Sequence, residues 1–187
     1  MDKKKRIYIM LSHSGSLFSK MITLCTREPY THVSIAFDEH LKEMYSFGRL
    51  NPYNPIIGGF VKEDIVNGTF GRFPHARCAL YSLEIDAYQY NSLRNELFKF
   101  KIESNKYGYN LLGVLSAAFN FPLHRKYSYF CSQFVSEILL NSGIRIIDKN
   151  PSLTAPMDFM NCKELEIIYE GELRDYSQRE KVLSMQL

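Results

Sequence analysis

Cys131 and His32 are the two residues of this chain whose settings could make a nucleophile and its base. Cys131 stands in Tyr129-Phe130-Cys131-Ser132-Gln133-Phe134-Val135, and Phe134, Val135, Ile138 and Leu139 carry an apolar stripe onward at helical spacing. A cysteine that opens a helix meets partial positive charge and free N–H groups. Both favour thiolate over thiol, and the same N–H groups can hold a developing oxyanion. The competing reading is a plain core cysteine, because these positions also form one helical face and cysteine is among the most buried residue types. His32 stands in Tyr30-Thr31-His32-Val33-Ser34-Ile35. Alternation sets Val33, Ile35 and Phe37 on one face of a strand and His32, Ser34 and Ala36 on the other. An imidazole fixed on a strand has the defined direction that pairing with a thiol requires. A hydrogen-bonded structural histidine is the alternative.

A third group would orient the imidazole. With a three-residue turn at 38–40, Phe37 pairs with Leu41, Ile35 with Glu43 and His32 with Ser46. Ser46 is therefore the candidate, and a one-residue slip would substitute Tyr45 or Phe47. His13 could border the site, as could Asp158, and Tyr107 or Tyr109 could donate a hydrogen bond in it. His40, His75 and His124 lie in turns or beside proline-containing loops.

The elements that must position these groups read as follows. Strands are expected at 6–11, 31–37, 42–48, 77–85 and 165–174. Helices are expected at 16–26 with Ser16 as N-cap, at 88–104, at about 109–119, at 131–141 stopped by Gly143, and as a short piece at 152–161. The segment 49–75 is rich in Gly, Pro and Asn, with strand-like pieces at 57–61 and 69–73, and reads as a rim or lid facing substrate. Strands and helices segregate rather than alternate, which points to an α+β fold with a mainly antiparallel sheet.

The 187 residues suit a single domain, 1–187, in which residues 1–5 are a flexible tail. A 45% hydrophobic and 23% charged composition is that of a soluble globular chain. The net charge of +3 comes partly from the run Lys3-Lys4-Lys5-Arg6, and no other basic cluster argues for nucleic acid. No stretch approaches the roughly 20 apolar residues that span a bilayer, and Ile7 to Leu11 is too short for a signal-peptide core. The expectation is a cytoplasmic protein. Cys25, Cys78, Cys131 and Cys162 form no CxxC pair and have no histidine at zinc-finger spacing, so they read as reduced thiols with no metal and no cofactor.

The order of the motifs resembles the circularly permuted branch of the NlpC-type papain-like superfamily, the YiiX-like proteins. Their histidine strand precedes their cysteine helix, as His32 precedes Cys131. The resemblance runs over about residues 7–160. It is carried by Ser14-Gly15-Ser16 to Thr26, by Tyr30 to Ile35, by Tyr129 to Val135 and by Thr154-Ala155-Pro156. It implies a papain-like fold, Cys131 as nucleophile and His32 as general base. It also implies a third polar group, often Glu or His, on the strand after the histidine, a region that holds Ser46 here. Substrate contacts are expected from Ser14, Tyr129 and Thr154, which lie in the matched stretches, and from Tyr45 beside Ser46. The family includes cell-wall peptide hydrolases, and the related lecithin:retinol acyltransferase group moves fatty acyl chains. The leading expectation is a thiol hydrolase of an amide or isopeptide bond, with a small peptide or amino-acid-containing substrate bearing a free amino group. The alternatives are a lipid acyltransferase or phospholipase with the same dyad, and a non-catalytic ligand-binding domain.

Overall fold

The computed structural model describes residues 4–51, 54–110 and 126–184. Its centre is a six-stranded sheet in which every neighbouring pair is antiparallel. The strands are β1 (Lys5–His13), β2 (His32–Ala36), β3 (Met44–Asn51), β4 (Asn54–Glu63), β5 (Arg77–Ile85) and, closing one edge, a strand at Glu166–Glu172. Their spatial order is β4-β3-β2-β1-β5 followed by Glu166–Glu172. The helices are α1 (Leu17–Thr26), α2 (Ala87–Ile102), α3 (Cys131–Asn141), α4 (Pro156–Met160) and α5 (Leu173–Ser184). Two short strands, β6 (Gly108–Tyr109) and β7 (Ser128–Tyr129), pair in parallel just before α3; the edge strand Glu166–Glu172 is then β8. The chain is thus α+β with a mostly antiparallel sheet.

Period-2 alternation gives the sheet two buried faces. On the first, Ile7, Ile9, Val33, Ile35 and Phe47 meet Leu93, Leu97 and Phe100 of α2 and Phe134, Val135 and Ile138 of α3. On the second, Tyr8, Met10, Ala36, Met44 and Leu80 meet Phe70 and, from α5, Leu173 and Tyr176. Local chemistry starts and stops the helices. Ser16 accepts from the Ser19 N–H, Asp86 and Gln89 form a capping box, and Gly143 at φ 75° ends α3.

Several expectations change in detail. Lys5 already pairs with Ile85, so the tail is shorter than residues 1–5. The segment 49–75 holds a ten-residue strand, β4, in place of loop with a short strand piece, while the piece at 69–73 is a single 3-10 turn at Phe70–Arg72. The helix expected at 109–119 opens on residues that form β6, and its positions 111–119 lie outside the described residues. The short helix at 152–161 divides into a 3-10 turn and α4.

The hairpin register is displaced by two residues. Ile35 pairs with Tyr45 and Ala36 with Met44. Asp38 drives this change: its carboxylate accepts from the Lys42 and Glu43 N–H groups, and Leu41 takes a left-handed φ of 58°. The turn is therefore wider than three residues, and Phe37 N–H closes it on the Glu43 carbonyl.

Candidate active site

The β2–β3 ladder stops at Ile35, although β2 continues back to His32 and β3 runs on to Asn51. The two strands part there, and the N-terminus of α3 abuts the opening. Cys131 is the first residue of α3, and the N-cap residue Phe130 supplies no side-chain acceptor to the first turn. Those N–H groups stay available for a negative charge. The Ser132 hydroxyl donates to the Thr154 carbonyl at 2.6 Å and ties the start of the helix to the loop behind it.

The Cys131 thiol lies close to the His32 imidazole and to the N–H groups of Val33 and Ser132, near enough for all three to favour its thiolate. The His32 Nε2 donates to Glu63 Oε1 at 2.6 Å, which leaves Nδ1 as the nitrogen for the sulfur. Glu63 is buried at the end of β4 and is held on the same oxygen by Ser34, at 3.1 Å, and by Ser46. Alternation puts His32, Ser34, Ser46 and Glu63 on one face of the sheet, while Cys131 arrives from the helix on the other.

Electrostatics follow from this geometry. Burial disfavours the thiolate, but the His32 charge and hydrogen bond and the two backbone donors outweigh it, so the Cys131 thiol sits below its ordinary range. Burial likewise opposes the imidazolium, yet the charges of Glu63 and Cys131 push His32 up to about 10. Against its own burial, Glu63 is drawn below the usual carboxylate range by His32, with hydrogen bonds from Ser46 and Ser34. The three shifts point the same way, toward a thiolate–imidazolium pair with a carboxylate behind it. Cys78 and Cys162 have no such partner, and burial pushes their thiols up to about 12 and about 11.

A cavity of about 280 Å³ opens beside the pair, with His32, Glu63, Gly48 and Tyr109 in its wall. Cys131 is 3% exposed and is not among the residues of this wall. A ligand in the cavity therefore meets the imidazole first. Tyr109 is close enough to feel the Cys131 charge, and its hydroxyl is raised well above the usual tyrosine range, first by burial and then by that charge.

The residues expected from sequence are distributed as follows. Cys131 and His32 meet. Ser46 reaches the carboxylate of Glu63 and not the imidazole, so its role as direct orienter is corrected: the displaced register puts Ser46 two positions from where it would face His32. Ser14 lies in the cavity wall. Tyr45, Tyr129 and Thr154 are not in that wall. Tyr45 stacks on Phe60 with its hydroxyl on Glu43, and Tyr129 packs on Phe47 with its hydroxyl on Glu137. Thr154 is wholly buried behind α3, hydrogen-bonded to Ser136 and the Asn150 carbonyl. Among the described residues no group of three or more His, Cys, Asp or Glu side chains could hold a metal ion.

Sequence reading missed Glu63. The strand expected at 57–61 stops two residues short of it, and its alternation continues through Lys62 and Glu63. Extending that period would have put a carboxylate on the face of Ser46, since Glu63 pairs with Met44 and Val61 with Ser46.

No family model matches the chain, and no curated protein matches it.

Proposed function

We propose that the chain is a thiol-dependent hydrolase of an amide or isopeptide bond, built on a circularly permuted papain-like fold. One observation carries this reading: a helix-opening cysteine beside an imidazole whose Nε2 is held at 2.6 Å by a buried carboxylate. Such a constellation is defined by geometry and roles.

In this reading the Cys131 thiolate attacks the carbonyl carbon, and the carbonyl oxygen takes the negative charge. The uncapped first turn of α3 is the nearest set of donors for that oxyanion. The His32 imidazolium gives its proton to the leaving amine as the C–N bond breaks. The resulting thioester is opened by water, whose proton passes to the now neutral His32. The thiolate leaves and the pair is restored. Glu63 holds the ring direction through both proton transfers and stabilises the imidazolium.

The test is turnover of a panel of aminoacyl p-nitroanilides together with mass spectrometry of the protein. The expected result is an acyl adduct on Cys131 and no turnover in Cys131→Ala. Turnover retained in Cys131→Ala would overturn the assignment.

A second reading, acyl transfer from a lipid by the same dyad, is favoured by apolar side chains in the cavity wall, Ile22, Phe70 and the 53% exposed Leu50. No helix among the described residues is long and apolar enough to cross a membrane. The third reading, a non-catalytic ligand-binding domain, would show ligand binding that survives Cys131→Ala and an ordinary thiol reactivity at Cys131.

A further inference from the structure

The cavity wall beyond His32 is unusually rich in hydroxyl donors. At the start of α1 the hydroxyl of Ser14 bonds those of Ser16 and Ser19 at 3.0 and 3.3 Å, and Ser16 and Ser19 are 3.2 Å apart. The Arg49 guanidinium donates to the Ser16 hydroxyl at 2.8 Å, and all four residues face the cavity. α1 runs for ten residues, so its dipole adds positive potential at the same place.

Ser12 is the independent observation. It is wholly buried, it lies in the cavity wall, and its hydroxyl has no hydrogen-bond partner among the described residues. It pairs across β1 and β2 with His32, so it joins the donor cluster to the catalytic imidazole. A buried hydroxyl without a partner costs stability, and a ligand acceptor would satisfy it. The two acidic residues of the wall are already engaged. Glu63 serves His32, Ser34 and Ser46, and Asp64 accepts from the N–H groups of Val66 and Asn67 in its own turn.

We propose that this cavity is the subsite for an oxyanion carried by the substrate, a carboxylate or a phosphate, held by Arg49 and the serine hydroxyls at the start of α1, with Ser12 donating beside His32. The proposal deepens the hydrolase reading and rests on it for the position of the scissile bond. A volume of about 280 Å³ suits an amino-acid-sized group. The substrate class is then a small amide with an anionic substituent on the side of the bond that lies over His32.

Calorimetric titration of the intact protein with glutarate, inorganic phosphate and neutral glutaramide tests the proposal without any thiol chemistry. The expected result is saturable binding of at least one of the two anions and none of glutaramide. Arg49→Gln and Ser12→Ala should each weaken the binding about tenfold or more, as loss of a donor to a charged group does. Preference for glutarate assigns carboxylate-bearing substrates, and preference for phosphate assigns phosphate-bearing ones. Ser12→Ala should unfold at the same or a higher denaturant concentration than the wild type, which separates lost binding from lost folding. Arg49→Lys, which keeps the charge but not the planar fork, should fall between wild type and Arg49→Gln. Equal binding of glutaramide, no anion binding, or affinities unchanged in both Arg49→Gln and Ser12→Ala would overturn the subsite. An inert Cys131 with anion binding intact would instead sink the hydrolase reading and leave the subsite standing.

Discussion

Glu63 Oε1 lies 2.6 Å from His32 Nε2, and the same oxygen takes hydrogen bonds from Ser34 and Ser46. One carboxylate at the end of β4 thereby fixes both the direction and the charge of the imidazole. Glu63→Gln keeps the shape and removes the charge. The His32 ring, pushed up to about 10 in the wild type, should then titrate closer to its ordinary 6.5, as read by NMR of the ring protons. Turnover at neutral pH should fall about a hundredfold or more, the scale of a lost acid–base contribution. An unmoved titration would show that Glu63 does not hold the charge.

The same carboxylate makes stability depend on pH with a definite sign. Glu63 is lowered from 4.5 in the folded chain. Its contribution is fully present above 4.5 and is lost as pH falls through the lower folded value. Urea unfolding at pH 7, 5, 4 and 3.5 should show the wild type ahead of Glu63→Gln at the two higher values. The gap should narrow progressively at the two lower ones. A gap constant with pH would contradict the depressed carboxylate.

Thiol reactivity gives a third check. Cys131 is more buried than Cys162, yet of Cys78, Cys131 and Cys162 it alone is shifted toward thiolate. Iodoacetamide at pH 7 should label Cys131 before Cys162 and Cys78, followed by peptide mapping. The rate should stay high on the acid side of an ordinary thiol's range, and His32→Gln should remove that advantage. Cys162 is partly exposed, so its reacting first would mean that access, not thiolate character, decides.

What the sequence could show and what it could not divide along a physical line. Cys131 at a helix start, His32 on the polar face of a strand and the Ser16 cap are local patterns, and all three are found at those places. Glu63 was missed because the strand piece expected at 57–61 stops two residues short of it, and its meeting with His32 depends on the β3–β4 register across a segment rich in Gly, Pro and Asn. The hairpin register was missed because the Asp38 carboxylate replaces backbone turn bonds, and strand periodicity alone does not reveal that. Tyr45 and Tyr129 read as substrate contacts because polar tips near motifs look functional, but their hydroxyls bond Glu43 and Glu137 while their rings fill the aromatic core.

That aromatic core sets the fourth expectation. Phe47 and Phe134 are fully buried with ring centroids 5.2 Å apart, and Phe100 lies 5.9 and 5.0 Å from them. Phe134 also fixes the face by which α3, and so Cys131, meets the sheet. Phe134→Ala should cost about 3–5 kcal/mol in urea unfolding. Phe98→Ala, at a side chain 61% exposed on α2, should change stability by about 0.5 kcal/mol or less.

The last expectation concerns Gly58, where β4 passes Tyr109. A Cβ at Gly58 would stand 2.8 Å from the Tyr109 Cβ and 2.8 Å from the Gly48 carbonyl oxygen. Neither neighbour is the end of a flexible side chain, so β6 or β4 must shift. β6 is paired to β7, which leads directly into Cys131, and Tyr109 forms part of the cavity wall. Gly58→Ala should therefore lower stability by about 1–3 kcal/mol, the usual cost of overpacking, and slow the alkylation of Cys131 together with it. Gly108→Ala is the control on the same short ladder, because a Cβ there meets only the Ser128 hydroxyl at 3.7 Å. If the two substitutions slowed labelling equally, chain stiffness rather than the Gly58–Tyr109 contact would be the cause. A slow Gly58→Ala beside a normal Gly108→Ala would tie the cavity wall to the reactivity of Cys131.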